Sequence, residues 1–215
     1  MDDNTQNLWT ISLSAIAALS AFANLLWNII EKCADKQQRK STEYVKLSSK
    51  LEDYTKKQKE YIKYSEEWLS YYQYRHSEEY YNGEIKIDPP EEIEEPSFNP
   101  VIKSIEDMNH ISPKTRQSLK ETSDKIDEIN KSTAICIKED WADEEQFNNF
   151  TIQRAASCAI AACKEAEIAR KKAGTDTQSL TDQRQYFERI IKEQIKIAGK
   201  DNYLLIPILR PPSPQ

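Results

Sequence analysis

The side chains of this 215-residue chain that are most able to perform metal or redox chemistry are two histidines and four cysteines. His110 follows Asp107 in an Asp-x-x-His spacing, whereas a di-iron bundle needs a Glu-x-x-His pair on each of two helices. Cys158 and Cys163 lie five residues apart and lack the Cys-x-x-Cys spacing of a zinc site. We therefore predict no metal and no cofactor, and we interpret these two cysteines as small buried hydrophobic side chains.

The loops that carry nucleotide or acyl-transfer chemistry are also missing from the sequence. It holds no phosphate-binding loop, no dinucleotide-binding fingerprint and no nucleophile elbow, and three glycines leave little material for such loops. Paired acids such as Glu66-Glu67 are solvated helix charges unless a cleft raises their pKa values. The sequence thus predicts a protein that is not an enzyme, and it identifies no catalytic residue and no small-molecule substrate.

The charge balance argues against a nucleic-acid partner. The formal net charge is −6 and the isoelectric point is about 5.2, whereas binding to phosphates requires a basic face. Many aromatic residues lie between positions 61 and 81 and could in principle stack on bases, but no cationic groove accompanies them. We interpret these aromatic side chains as core and seam packing.

One segment that must be placed before any function is assigned is the apolar run at residues 8–30. Its 23 residues carry no formal charge and 17 of them are apolar, which is long enough for a transmembrane helix. Trp9 and Trp27 bracket the run at a helical separation of about 27 Å and are predicted to anchor it at the two interfaces. A cleaved signal, a buried core helix and an interfacial helix are the alternatives to a span.

The flanks of this run predict its orientation. No lysine or arginine precedes it, and four bases follow within ten residues: Lys32, Lys36, Arg39 and Lys40. The positive-inside rule then predicts an inner or plasma membrane protein with its N-terminus outside and its later residues in the cytoplasm. The same bases are predicted to contact lipid headgroups.

The apolar run also carries a stripe of small and polar residues at helical spacing. Within it, five residues form a predicted transmembrane association stripe: Ser14, Ala17, Ala21, Asn24 and Asn28. Small residues permit close approach of two helices, and an asparagine in hydrocarbon gains from a partner. Self-association through the stripe is one hypothesis, and the other is that these residues are merely tolerated.

Beyond residue 43 the sequence predicts a long amphipathic helix over residues 44–81. Its predicted coiled-coil seam alternates spacings of three and four, with Gln58 and Ser65 at its weak points. The apolar members of that seam are Tyr44, Leu47, Leu51, Tyr54, Tyr61, Trp68 and Tyr72.

Composition and helix-capping signals divide the chain into seven predicted segments. They are an extracytoplasmic N-terminus (1–7), the transmembrane helix (8–30), a basic juxtamembrane segment (31–43), the Tyr-rich helix (44–81), an acidic Pro-rich linker (82–100), bundle helices (101–198) and an apolar Pro-rich tail (199–215). Asn99, Ser112, Asp143 and Ser179 are predicted to begin bundle helices, and Gly174 and Gly199 to close them. The tail either packs onto the bundle or binds another protein.

The predicted fold class is all-α, with one N-terminal transmembrane helix followed by a cytoplasmic antiparallel helical bundle. An open dimeric coiled coil built on residues 44–72 is the alternative architecture. The predicted function is a membrane-anchored scaffold that self-associates or binds a protein partner. The alternative function is a toxin or defence-type effector that perturbs the membrane by oligomerisation of its transmembrane helix.

Overall fold

The structure is a computed structural model that describes residues 3–77, 81–83, 87–138, 143–199 and 204–210, with the side chains of 3–18, 138 and 144 left undescribed. The chain divides into two compact units, residues 1–42 and residues 43–215. All regular structure in the described ranges is helical, and no strand occurs there. The predicted all-α class is confirmed at this level.

The first helix, α1, runs without a break from Asp3–Arg75, a length of 73 residues, and passes through both units. Its continuity follows from the sequence, because no glycine or proline occurs between its ends. The residues predicted as a span, a juxtamembrane segment and the beginning of a separate Tyr-rich helix thus share one helix. The helix ends at Arg75, six residues before the predicted end at position 81. The first glycine after it, Gly83, has a φ of 69°.

The transmembrane prediction is wrong. Among the residues that the structure describes, no helix combines the length and the hydropathy needed to cross a bilayer.

Several expectations depended on that span. The localisation in an inner or plasma membrane and the N-terminus-outside orientation are corrected with it. An effector that acts by oligomerising a transmembrane helix requires the same span, so we do not propose it for this protein. The roles of Trp9 and Trp27 as interface anchors and of the basic cluster as headgroup contacts also require a bilayer, and we do not propose them either.

Four further α-helices of eight or more residues lie within the described ranges of the second unit. They are α2 (Asn99–Glu106), α3 (Pro113–Lys138), α4 (Glu144–Ala173) and α5 (Gln178–Ala198), and a short 3-10 turn covers Pro207–Leu209. The part of the acidic linker at residues 87–97 has no helix or strand.

Polar side chains begin α3 and α4 as the sequence predicts. The Ser112 hydroxyl accepts a hydrogen bond from the Thr115 amide at 3.2 Å, which places Ser112 at the start of α3. An Asp143 carboxylate oxygen accepts from the Gln146 amide at 2.8 Å and caps α4. These bonds satisfy backbone donors that the first turn of a helix leaves without an intrahelical partner.

The other two predicted caps are wrong. Phe98 holds the N-cap position of α2 and Thr177 that of α5, and neither side chain makes a capping hydrogen bond. The Ser179 hydroxyl instead accepts a hydrogen bond from Arg170 at 3.3 Å. The Ser179 hydroxyl therefore bonds to a side chain of α4 and not to the backbone amide that a helix cap would satisfy.

The hydrophobic core lies between the second part of α1 and the later helices. Tyr44, Leu47, Leu51 and Tyr54 are all buried in one cluster with residues of α2, α3 and α4. Because this half of the seam is covered by helices of the same chain, the second unit is a helical bundle and not an open coiled coil.

The α4 helix permits this close packing through its small side chains. Ala155, Ala159, Ala162 and Ala166 are almost fully buried along it. A helix with alanine at successive turns lets its neighbours approach closely, and each larger residue on those neighbours then fills the remaining space.

The C-terminal tail packs onto the bundle. Leu205 and Ile206 are buried, and Ile206 belongs to the main core cluster. The buried amide of Gln153 donates to the Leu204 carbonyl and accepts from the Ile206 amide, both at 2.9 Å. Of the two alternatives for the tail, the structure shows packing within the chain for residues 204–209.

Candidate functional site

The first candidate surface is an apolar stripe on the part of α1 that belongs to residues 1–42. Seven large apolar side chains there are 44–68% exposed. We call them the N-terminal stripe, and they are Leu19, Phe22, Leu25, Leu26, Trp27, Ile29 and Ile30. Isolated exposed apolar side chains are ordinary, but a set of this size on one helix is a candidate interaction surface.

Part of the N-terminal stripe has the spacing of a helix-pairing seam. Leu19, Phe22, Leu26, Ile29 and Cys33 are separated alternately by three and four residues, and Cys33 is exposed. The next seam positions are Lys36 and Lys40, so charge ends the apolar seam at the basic cluster.

The structure places the predicted association stripe on the opposite side of the same helix. At 100° per residue its centre lies about 150° around the axis from the seam of Leu19 and Phe22. Ala21, Asn24 and Asn28 are exposed, and the side chains of Ser14, Ala17 and Trp9 lie outside the described residues. Lys32, Lys36, Arg39 and Lys40 are also exposed.

The second candidate surface is a cleft in the second unit between the end of the buried part of α1, the acidic linker and the start of α4. Its volume is about 510 Å³, and we call it the aromatic cleft. Its apolar walls are Tyr61, Tyr64, Trp68, Ile93 and Phe147. Its polar walls are Ser65, Glu92, Asp143, Asn148 and Thr151. A cavity of this size accommodates a small organic ligand.

The aromatic wall comes from one face of α1. Tyr61, Tyr64 and Trp68 follow one another at spacings of three and four, and their ring centroids lie 5.8 Å and 6.4 Å apart along the row. The Trp68 indole Nε1 is buried and has no hydrogen-bond partner among the described residues. A buried donor without a partner costs about 1–3 kcal/mol, and such donors are rare in native proteins.

The charges around the aromatic cleft are mainly negative. Glu92 and Asp143 contribute carboxylates to its lining, and no lysine or arginine is among the residues that form it. Arg154 lies nearby, with its guanidinium 5.6 Å from the Tyr61 ring centroid and 2.7 Å from a Glu95 carboxylate oxygen. Its charge is therefore already balanced by Glu95.

The seam predicted on α1 is divided between core and cleft. Tyr44, Leu47, Leu51 and Tyr54 are core residues, whereas Tyr61 and Trp68 are half-buried and line the aromatic cleft. Tyr72 is half-buried farther along the same helix and its ring packs on His76. Sequence reasoning interpreted all these aromatic residues as packing and missed the cleft.

His110, Cys158 and Cys163 lie in structural environments. The ring Nδ1 of His110 lies 2.9 Å from a Glu43 carboxylate oxygen, and the backbone amide of His110 donates to the other oxygen of that carboxylate at 2.6 Å. Burial raises the pKa values of the Cys158 and Cys163 thiols to about 12. No cluster of three or more metal-ligating side chains occurs in the described ranges.

Comparison of the chain with family models, with curated proteins and with solved structures finds no match. Functional proposals for this protein therefore rest on the physical chemistry of the N-terminal stripe and the aromatic cleft. The stripe offers apolar area to a macromolecule, and the cleft offers a half-open volume to a small ligand.

Proposed function

We propose that this protein is a non-catalytic helical interaction protein that self-associates through the N-terminal stripe. In the associated form each copy displays its own helical bundle. The observation that carries this proposal is the exposure of seven large apolar side chains between Leu19 and Ile30. A second copy of this chain is the partner to which the proposal commits.

The area of the N-terminal stripe fits such an interface. If each of seven large apolar side chains offers roughly 200 Å² and slightly more than half of it is exposed, the stripe presents on the order of 800 Å². A standard interface buries about 800 Å² from each partner. The exposed apolar area of the whole stripe, which spans about 200° of the helix surface, is therefore of the order that one side of an interface buries.

The spacing and the charges of the helix favour a copy of itself as that partner. A seam that alternates spacings of three and four, as Leu19, Phe22 and Leu26 do, packs against the same seam on a second helix. In an antiparallel pair centred on this seam the bases of one copy lie far from those of the other, whereas a parallel pair places Lys36 and Lys40 against their own copies.

Sedimentation velocity of the full 25.0 kDa chain at micromolar concentration tests the proposal. We expect the wild-type chain to sediment as a dimer or larger species and Leu26→Glu to dissociate at least about 100-fold more readily, because a charge enters the apolar interface. Asn24→Glu is the matched control, since Asn24 lies on the same helix about 160° away. Ile135→Glu controls for an exposed isoleucine on α3.

Three results would overturn self-association through this surface. One is a wild-type chain that sediments as a monomer up to about 100 µM. Another is a dimer that Asn24→Glu disrupts and Leu26→Glu does not, which would assign the interface to the small-residue stripe. The third is a monomer in which Leu26→Glu abolishes binding to phospholipid vesicles, which would identify a lipid surface as the occupant of the stripe.

A further inference from the structure

We propose that the aromatic cleft is a binding site for a small organic cation with an alkylated nitrogen, such as a quaternary amino alcohol. The site lies wholly within residues 43–215 and does not depend on self-association of the N-terminal helix. Two properties support it: aromatic walls and an excess of carboxylates.

The walls provide aromatic rings, whose faces recognise a cation. Tyr61, Tyr64, Trp68 and Phe147 line one volume of about 510 Å³, several times the size of a choline-like molecule. Aromatic rings attract a cation through their negative faces, and tryptophan does so most strongly. An apolar ligand without charge would gain from the same rings but would leave the carboxylates of the cleft unused.

The carboxylates decide the sign of the ligand. Glu92 reaches the cleft from the linker and Asp143 from the start of α4, so the two acids belong to different elements. One oxygen of Asp143 accepts from the Gln146 amide, and this carboxylate offsets the positive end of the α4 dipole. The chain already holds one cation by the same combination, since Arg154 pairs with Glu95 beside the Tyr61 ring.

The composition of the walls favours an alkylated nitrogen over a primary amine. A primary ammonium has three N–H donors to satisfy, whereas a quaternary nitrogen has none and presents only methyl groups to the rings. Polar residues in the lining, Glu92 and Thr151 among them, offer hydrogen-bond partners to a hydroxyl on the cation.

Isothermal titration of the full chain with choline chloride tests this site. We expect a dissociation constant of roughly 0.1–10 mM, the range for a ligand of few atoms in a half-open cleft. The neutral isostere 3,3-dimethylbutan-1-ol has nearly the same shape without the charge, and we expect it to bind at least about 10-fold more weakly. Spermidine serves as the primary and secondary amine for comparison.

Two matched pairs of variants assign the binding to the cleft. Glu92→Gln removes a carboxylate that lines the cleft, and we expect about 3- to 10-fold weaker choline binding; Glu91→Gln, beside it but outside the lining, leaves the constant unchanged. Phe147→Leu removes one wall ring, and Tyr81→Leu removes an exposed ring elsewhere. Glu92 is on the exposed linker, so its replacement leaves the bundle folded.

Several outcomes would overturn the proposal. No heat and no change in tryptophan fluorescence up to 50 mM choline would exclude the site. Equal binding of the neutral isostere would make the cleft a site for apolar ligands instead. Equal effects of Glu91→Gln and Glu92→Gln would reduce the interaction to diffuse attraction by the acidic linker. Tighter binding of spermidine than of choline would assign the site to unalkylated amines.

Discussion

The docked C-terminal tail can be tested at a single buried side chain, Gln153. This amide is 1% exposed, donates to the Leu204 carbonyl and accepts from the Ile206 amide, each at 2.9 Å. A weaker bond of 3.3 Å joins it to Gln194. Replacement by leucine keeps the volume similar but leaves the two tail backbone groups without their partner.

The size of the effect follows from those two groups. A buried backbone group that loses its partner costs about 1–3 kcal/mol, so the two groups together should make Gln153→Leu cost about 2–6 kcal/mol if the tail stays docked. If the tail detaches, water satisfies both groups and the loss is limited to the docking free energy of Leu205 and Ile206. For either route we expect a fall of about 2–4 kcal/mol, because each of these buried side chains contributes about 1.5–3 kcal/mol before ordering costs.

Urea unfolding followed by circular dichroism measures this loss. With a slope of about 2 kcal/mol per molar urea, the midpoint of Gln153→Leu should fall by about 1–2 M. Gln194→Leu is the matched control, because it removes only the 3.3 Å bond and leaves both tail bonds intact. Its loss should stay below about 1.5 kcal/mol.

Hydrogen exchange at the Ile206 amide provides an independent measurement. The Gln153 side chain is the acceptor for this amide, so its exchange should accelerate in Gln153→Leu and remain slow in Gln194→Leu. A Gln153→Leu protein with the wild-type urea midpoint and an unchanged exchange rate at Ile206 would refute the assignment of tail docking to this amide.

Two further predictions concern the second unit. Burial alone would raise the pKa of Glu43, but hydrogen bonds and attraction from His110 outweigh burial and lower this pKa. The ionised Glu43 carboxylate should therefore stabilise the fold fully above about pH 4.5, and this contribution should decline as the pH falls through the lowered pKa. Urea unfolding between pH 2.5 and 7 should show this decline, and Glu43→Gln should flatten it; an equal slope in both proteins would contradict the assignment. Leu51→Ala should cost about 2–5 kcal/mol in the same assay, because Leu51 is fully buried. Val45→Ala, at an exposed position, should cost less than about 0.5 kcal/mol. Similar losses in the two variants would contradict the placement of Leu51 in the core.

Local sequence patterns predicted the helices of this protein well. Asp143 is followed by charged and amide residues in a first helical turn, and its side chain caps α4 because the donor it satisfies lies only three residues away. The alternating spacing from Tyr44 to Tyr54 predicted a buried face for the same reason, since helical geometry alone brings those side chains to one side. Such information is contained within one or two turns.

The caps that failed show where local information ends. Ser179 has the residue type and the spacing of a helix cap, but Arg170 lies nine residues earlier on α4 and donates to its hydroxyl. Because the helix begins at Gln178, Ser179 already lies in its first turn, and the four-residue spacing of a capping box does not extend as far as Arg170.

The apolar run at residues 8–30 shows the same limit at a larger scale. Its composition predicted a span, whereas no helix in the described part of the chain meets the requirement for one. What the run retains in the structure is an exposed set of large side chains on one continuous helix, from Leu19 to Ile30.

Local sequence signals predict that this protein is helical and where several of its helices begin and end, because those signals act between residues three or four positions apart. Tertiary structure decided how the aromatic face of α1 is used. Tyr54 enters the core, whereas Tyr61 and Trp68 line a cleft beside Glu92 and Asp143. These groups are tens of residues apart, and only the packing of α1 against the linker and α4 brings them together.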